Sequence, residues 1–264
     1  MARFAVILPA AGRSTRFGDP DRKKTYADLG GRGVWLRASD PFTGRDDVAQ
    51  VIVAIHPEDR ELFDRRYAAE VAFRGITVIE GGAERFDTIA LALVAVIPEV
   101  DHIAVHDAAR PCVTGEQVAA VFAAAIEHGA ALLAVPVADT LKRVGPDGRT
   151  IATVPRAGLF GAQTPQVFRR DLLEQAYAAR QTLLAGGVSI TDDAQLVEAL
   201  GHPCTVVLGS AMNLKITTPD DLKLAAAILQ SRPKPSHPDF LHPLTDERAN
   251  AQTGGSRQTL DDLF

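Results

Sequence analysis

The sequence predicts an α/β protein built on a doubly wound, mostly parallel sheet. Three observations lead there. Short apolar runs alternate with segments of helical spacing, as in successive βα units. Several runs are nearly all apolar, those at residues 4–8 and 130–135 among them, as strands are when helices cover both faces of a sheet. The first strand also passes at once into a loop of small and cationic residues, Pro9-Ala10-Ala11-Gly12-Arg13-Ser14-Thr15-Arg16-Phe17-Gly18, then Lys23-Lys24. In an open α/β sheet, that carboxyl-end crevice is where ligands bind.

The elements follow in order. Residues 4–8 are the first strand and residues 50–55 the second. Pro57-Glu58-Asp59 then opens a helix, with proline at its start and acids in its first turn. Residues 75–79 are the third strand. A Gly81-Gly82 turn leads into a helix over 84–96, where Ile89, Leu93 and Val96 recur at helical spacing. Residues 102–106 form the fourth strand. Thr114 with Gln117 matches a capping box for a helix through Ile126. Residues 130–135 and 204–208 are further strands. Thr218-Pro219-Asp220-Asp221 starts a helix over 222–229.

Residues 138–155 break the alternation. Gly145-Pro146-Asp147-Gly148 is a turn signal between two β-prone stretches, 139–144 and 149–154, read as a hairpin. It has too few apolar residues to bury itself against the main sheet, and an isolated hairpin is marginal in water. Residues 138–156 are therefore read as an arm that rests on a second subunit, which makes a homodimer. The domain itself spans residues 1–230. Residues 231–264 carry Pro233, Pro235, Pro238, Pro243 and Gly254-Gly255, and read as an extended or disordered tail.

Composition narrows the function classes. A 46% hydrophobic content over 264 residues suffices for a full core. The net charge of -5 argues against a general nucleic-acid binder. No apolar run is long enough to span a bilayer, and the one at residues 4–8 is too short for a secretory signal. The expectation is a cytoplasmic protein that binds neither nucleic acid nor membrane. Cys112 and Cys204 lack the close spacing of a metal site and read as reduced thiols.

Four clusters look chemical, and each allows a plainer reading. In the opening loop, Ala10, Ala11 and Gly12 let backbone approach a ligand closely, and Arg13, Arg16, Lys23 and Lys24 supply charge suited to a polyphosphate. A solvated basic loop would look the same, and neither the dinucleotide nor the Walker glycine pattern is present. Val105-His106-Asp107-Ala108-Ala109-Arg110-Pro111 puts Asp107 at a strand's carboxyl end, as a magnesium ligand or hydroxyl acceptor, or as half of a structural pair with Arg110. His106 reads as a packed strand residue. In residues 81–88, Gly82 offers backbone contacts to a base and Thr88 a hydroxyl, or the segment is an ordinary turn. Lys215, within Asn213-Leu214-Lys215-Ile216-Thr217, points into a pocket or snorkels to the surface. Thr191-Asp192-Asp193 is equally open.

Together these pieces resemble one family, the 2-C-methyl-D-erythritol 4-phosphate cytidylyltransferases of the non-mevalonate isoprenoid pathway. The likeness runs from about Phe4 to Gln230. It rests on P-A-A-G-x-x-x-R at 9–16, Lys24, G-G-x-E-R-x-D-T at 81–88, V-H-D-A-A-R-P at 105–111, D-T at 139–140, Q-T-P-Q at 163–166, T-D-D at 191–193 and N-L-K-I-T at 213–217. The resemblance implies a Rossmann-like nucleotidyltransferase fold and a reaction in which a polyol phosphate attacks the α-phosphorus of CTP and pyrophosphate leaves. It implies a divalent cation, Mg2+ or another, carried mostly on the CTP phosphates with Asp107 as a protein ligand. It assigns Arg16, Lys24 and Lys215 as catalytic cations. It places Ala10, Ala11, Gly12, Gly82, Thr88, Asp107 and Ala108 at CTP. It places Asp107, Arg110, Thr140, Arg156, Thr191 and Lys215 at the acceptor, with Thr140 and Arg156 delivered by a partner's arm.

Two readings stay open beside it. One is transfer to ribitol 5-phosphate; the other is a nucleotide-binding protein without catalysis. The sequence also departs from the family pattern before Lys24. That stretch is about one residue longer, and Lys23 stands where proline is common, so Lys23 is a second candidate for the role given to Lys24. Pro41 is expected to shorten the first helix.

Overall fold

The first strand, β1 (Phe4–Pro9), has every residue from Phe4 to Leu8 buried, and its alternate side chains enter two different cores. Phe4, Val6 and Leu8 pack with Trp35, Phe42, Phe63 and Phe122 on one face. Ala5 and Ile7 pack with Ile89, Ile103, Phe168 and Leu196 on the other. A strand with helices on both faces has no polar side to show, which is why its sequence does not alternate. A computed structural model describes residues 2–12, 23–187 and 190–232.

After β1 come α1 (Val34–Ser39), β2 (Val48–Ile55), α2 (Arg60–Arg74), β3 (Thr77–Glu80), α3 (Arg85–Val94), β4 (His102–Val105), α4 (Gly115–His128) and β5 (Ala130–Pro136). The chain continues through β6 (Leu141–Val144), β7 (Thr150–Val154), β8 (Phe160–Arg169), α5 (Arg170–Ala185), α6 (Asp193–Glu198), β9 (Thr205–Leu208) and α7 (Pro219–Ser231). Among the described residues the main sheet has the order β3-β2-β1-β4-β8-β5-β9. All its pairings are parallel except those of β8 with β4 and β5. The chain leaves β1 toward β2 on one side and returns to β4 on the other. This is a topological switch point, and the loops that follow β1 and β4 border its crevice.

The sequence-based elements appear with shifted ends. α1 stops at Ser39, two residues before Pro41. Gly75, read as the start of a strand, instead closes α2 in the left-handed region at φ 61°. Both hydrogen bonds of the Thr114–Gln117 capping box are present, at 3.2 and 3.0 Å. β6 and β7 pair with each other in a separate two-stranded sheet whose turn contains Gly148 at φ 77°.

The sequence reading had no counterpart for β8. Pro165 and Gly161 argue against a central strand. The β5–β8 ladder shifts register between Leu132 and Ala134, and Gln166 on the far side of Pro165 pairs again with Val105 and Leu132. The irregularity accommodates the missing proline donor.

The chain divides into units 1–230 and 231–264. Nearly all of the second lies outside the described residues, and so does the tail expected there.

Candidate active site

The crevice beside β1 holds a pocket lined from five separate stretches of sequence. Pro9, Ala11 and Gly12 come from the end of β1, and Lys24 and Thr25 from the turn that follows. Gly82, Ala83, Glu84, Arg85 and Thr88 come from the entry to α3, Asp107, Ala108 and Ala109 from the loop after β4, and Lys215 from the segment before α7.

Asp107 is the electrostatic centre. It is 8% exposed, and Lys215 Nζ lies 2.8 Å from its Oδ2. Arg110 Nε is 3.5 Å from the same oxygen, and Arg85 Nε is 3.8 Å from Oδ1. Burial alone would raise the Asp107 carboxyl, but Lys215, Arg85 and Arg110 outweigh it and hold the group well below the usual carboxylate range. One carboxylate faces three cations, so this wall of the pocket keeps a positive excess suited to a polyanion.

Backbone and buried amides hold Lys215 there. The Ile216 N–H donates to the Ala109 carbonyl at 2.8 Å, and Arg110 Nη1 to the Asn213 carbonyl at 2.7 Å. The fully buried Asn213 amide donates to Gln163 Oε1 at 3.2 Å and to the Thr164 carbonyl at 2.9 Å. Two motifs about fifty residues apart, 163–166 and 213–217, are thus one structural unit.

The Asp107 loop is pinned from below by His106. Burial pushes this imidazole down to about 4, although Asp107 beside it pulls the other way. Its Nε2 donates to the Arg110 carbonyl at 3.1 Å, since a carbonyl can only accept. Nδ1 is then the acceptor for the Thr164 hydroxyl, at 3.1 Å. Thr164 Oγ1 in turn accepts the Asp107 N–H at 3.0 Å. The strand residue read as packing is packed, and it also sets the loop.

At the α3 entry, Thr88 is 1% exposed and its hydroxyl closes the turn. It accepts from the Gly82 N–H at 3.1 Å and donates to the Glu84 carbonyl at 3.0 Å. A Cβ on Gly82 would sit 2.5 Å from that of Asp87, whereas one on Gly12 would meet nothing within 4 Å. Gly82 is required by its own turn; at Gly12, among the described residues, nothing fills that space beside the pocket.

Lys24 and Lys23 part company. Lys24 lines the pocket, and Lys23 pairs with Asp59 at 2.7 Å. Arg13 and Arg16 lie outside the described residues. Ala10 is buried with its N–H donating to the Ala54 carbonyl at 2.7 Å, and it is not among the lining residues. Arg110 touches the site through Asp107 and Asn213. Thr191 is exposed and bonds Gln195 Oε1 at 3.0 Å. Thr140 and Arg156 are exposed, in and beside the hairpin segment, and line none of this pocket.

Arg85 is a site residue that sequence reasoning passed over. Its Nη2 donates to the fully buried Asp193 at 2.6 Å, and Tyr177 donates to the other Asp193 oxygen at 2.5 Å. Arg85 therefore links Asp107 with the start of α6, next to Thr191. It stood inside the quoted 81–88 motif, but only the fold brings both acids to it.

The sequence model for the family described as "IspD: 2-C-methyl-D-erythritol 4-phosphate cytidylyltransferase" matches residues 4–231. The chain belongs to this family.

A cytidylyltransferase of that name from Rhodopirellula baltica is 43% identical, over 86% of this chain and 95% of the relative. One from Frankia casuarinae is 45% identical, over 86% of this chain and 81% of the relative. The crystal structure of the Thermus thermophilus cytidylyltransferase superposes with a TM-score of 0.70 at 36% identity, covering 87% of this chain and all of that one. Like these cytidylyltransferases, the chain is an α/β nucleotidyltransferase with a mostly parallel, Rossmann-like sheet.

Proposed function

We propose that the chain transfers CMP from CTP to 2-C-methyl-D-erythritol 4-phosphate, forming 4-diphosphocytidyl-2-C-methyl-D-erythritol and pyrophosphate in isoprenoid precursor synthesis. One observation supports this most. Motifs scattered from Pro9 to Lys215 converge on a single pocket at the switch point of the sheet, with a glycine-lined side and a cationic side. Family membership supplies the substrates.

The chemistry needs no covalent nucleophile, because a phosphate monoester is already anionic near neutral pH. Negative charge shifts toward the leaving pyrophosphate as the α-phosphorus is attacked, so fixed cations are the main lever. Lys24 and Lys215 supply that charge in the pocket, with Arg16 completing the set. Gly12 leaves room for the triphosphate, and Gly82 with residues 83–84 presents backbone to the base. Asp107 accepts hydroxyls while its three cationic neighbours keep it ionised.

The fit to a divalent cation is specific in kind. Among the described residues no group of three His, Cys, Asp or Glu side chains could hold a metal. Asp107 is the buried carboxylate of the pocket. This donor set suits an ion held chiefly by nucleotide phosphates with Asp107 as its protein ligand, and such an ion would neutralise the triphosphate. Acceptor binding uses Arg110, Thr191 and Lys215, with Thr140 and Arg156 arriving from a second copy.

The deciding experiment offers CTP and magnesium with either methylerythritol phosphate or ribitol 5-phosphate and measures pyrophosphate release. Preferential turnover of methylerythritol phosphate is expected. Preference for ribitol phosphate would move the acceptor assignment, and CTP binding without release would favour a non-catalytic binder. Among the described residues no helix is long and apolar enough to cross a membrane.

A further inference from the structure

Lys24 sits on a short turn, Lys24–Tyr26, which is tied on both sides of Lys24-Thr25 to one carboxylate that belongs to none of the family motifs. Asp59 lies where the chain enters α2 and is 8% exposed. Its Oδ2 accepts from Lys23 Nζ at 2.7 Å and from the Tyr26 hydroxyl at 3.0 Å. The Tyr26 ring is planted in the core, with Phe63 at 5.9 Å and Tyr67 at 6.2 Å between ring centroids. The Tyr26 N–H also donates to the Lys23 carbonyl at 2.9 Å. So the residues on both sides of Lys24-Thr25 are directed to Asp59, while Lys24 itself lines the pocket.

A carboxylate this buried is stable only when paired and hydrogen-bonded, and removing one partner leaves an uncompensated charge. Tyr26 is a dependable donor, because burial and then Asp59 raise its hydroxyl well above the ordinary tyrosine range. Asp59 also engages the lysine that competes in sequence for the catalytic place.

We propose that Asp59 is a positioning residue: by holding Lys23 and Tyr26 it delivers Lys24 to the phosphate side of the pocket. This rests on the cytidylyl-transfer reading above. Asp59 touches no reacting atom and acts through Lys24.

The test is a double-mutant cycle of D59N and K24A in the full chain. It reads kcat/KM for CTP, CTP affinity by calorimetric titration, and Tm. D59N is expected to lose about tenfold in kcat/KM for CTP, with the acceptor KM changed by less than about twofold. The double variant should be no slower than K24A alone within about twofold, while its Tm falls by the full D59N increment. Multiplying activity losses in the double variant would overturn the proposal. So would a D59N protein with lowered Tm and unchanged kcat/KM. Should D59N fail to fold, Y26F replaces it, since it keeps the ring in the core and drops one bond to Asp59. The same non-additivity with K24A is then expected, and additivity refutes it. A wild-type chain that releases no pyrophosphate would refute cytidylyl transfer instead. The anchor is then judged on CTP affinity in the same cycle, with the same two outcomes.

Discussion

At the scale of single residues, the pocket is governed by which charges face one another. Lys215 and Lys24 are the cations whose worth should grow in the transition state. Lys215→Ala and Lys24→Ala are each expected to lower turnover by about a hundredfold or more, with circular dichroism unchanged. Lys23→Ala should lose no more than about tenfold, because Lys23 is engaged by Asp59. Steady-state rates of pyrophosphate release check this, and equal losses for the two neighbouring lysines would contradict the assignment. His106 yields a pH prediction. Its folded pKa of about 4 lies below the ordinary 6.5, so the unfolded chain binds more protons between those values. Its contribution is fully present above pH 6.5 and is lost as pH falls toward 4, by roughly 3 kcal/mol. Denaturant titrations across that window should show the slope, and His106→Gln should reduce it, leaving the part due to His102, whose pKa burial also lowers. Asp107 cannot mimic the effect, because its depressed pKa moves its own window below the ordinary carboxylate value.

At the scale of elements, two glycines do different jobs. A methyl on Gly82 collides with Asp87 Cβ at 2.5 Å and forces the α3 entry to shift. That turn is braced by Arg180, which bonds Asp87 at 2.7 Å and lies 5.1 Å over the Phe86 ring. Gly82→Ala should therefore lower both Tm and CTP affinity. Gly12→Ala meets no atom within 4 Å among the described residues beyond its chain neighbours, so it should leave Tm unchanged and weaken CTP about tenfold or more if the nucleotide takes that space. Calorimetric titration with a parallel melt separates the two. Most strands and the capped helices were legible because local signals carried them: apolar runs for β1 and β5, and Thr114 with Gln117 for α4. β8 was illegible because Pro165 reads as a break, and only pairing with β4 and β5 on either side makes it a strand.

At the scale of the whole molecule, the hairpin and the terminal segment carry the remaining predictions. Val144 and Ile151 of the hairpin are 53% and 66% exposed, and Phe160, at the start of β8, is 48% exposed. This apolar surface suits the second subunit that the sequence reading called for. Sedimentation velocity should give a dimer, and Arg156→Ala should raise the acceptor KM while sparing CTP affinity. A fully active monomer would refute delivery of Arg156 by a partner. Ending the chain after Ser231 should leave kcat within about twofold, because the described lining residues precede it. A large loss would assign the tail a place on the catalytic unit.

The sequence by itself determined the doubly wound class, the strand-loop-helix position of most motifs, the one at 163–166 on β8 excepted, and the family. These rest on local periodicity, capping and residue order, which a linear chain carries in full. Tertiary structure decided what depended on distant partners. It chose Lys24 over Lys23 at the pocket, because Asp59 comes from the start of another element. It also made Arg85 a bridge between Asp107 and Asp193, which are far apart in sequence and meet only when α3, β4 and α6 pack together. His106 shows the same division. Its burial was readable from the strand, but its two hydrogen bonds needed Thr164 on a strand that the sequence had hidden. Side-chain pairing across the sheet is set by topology, and topology is not local.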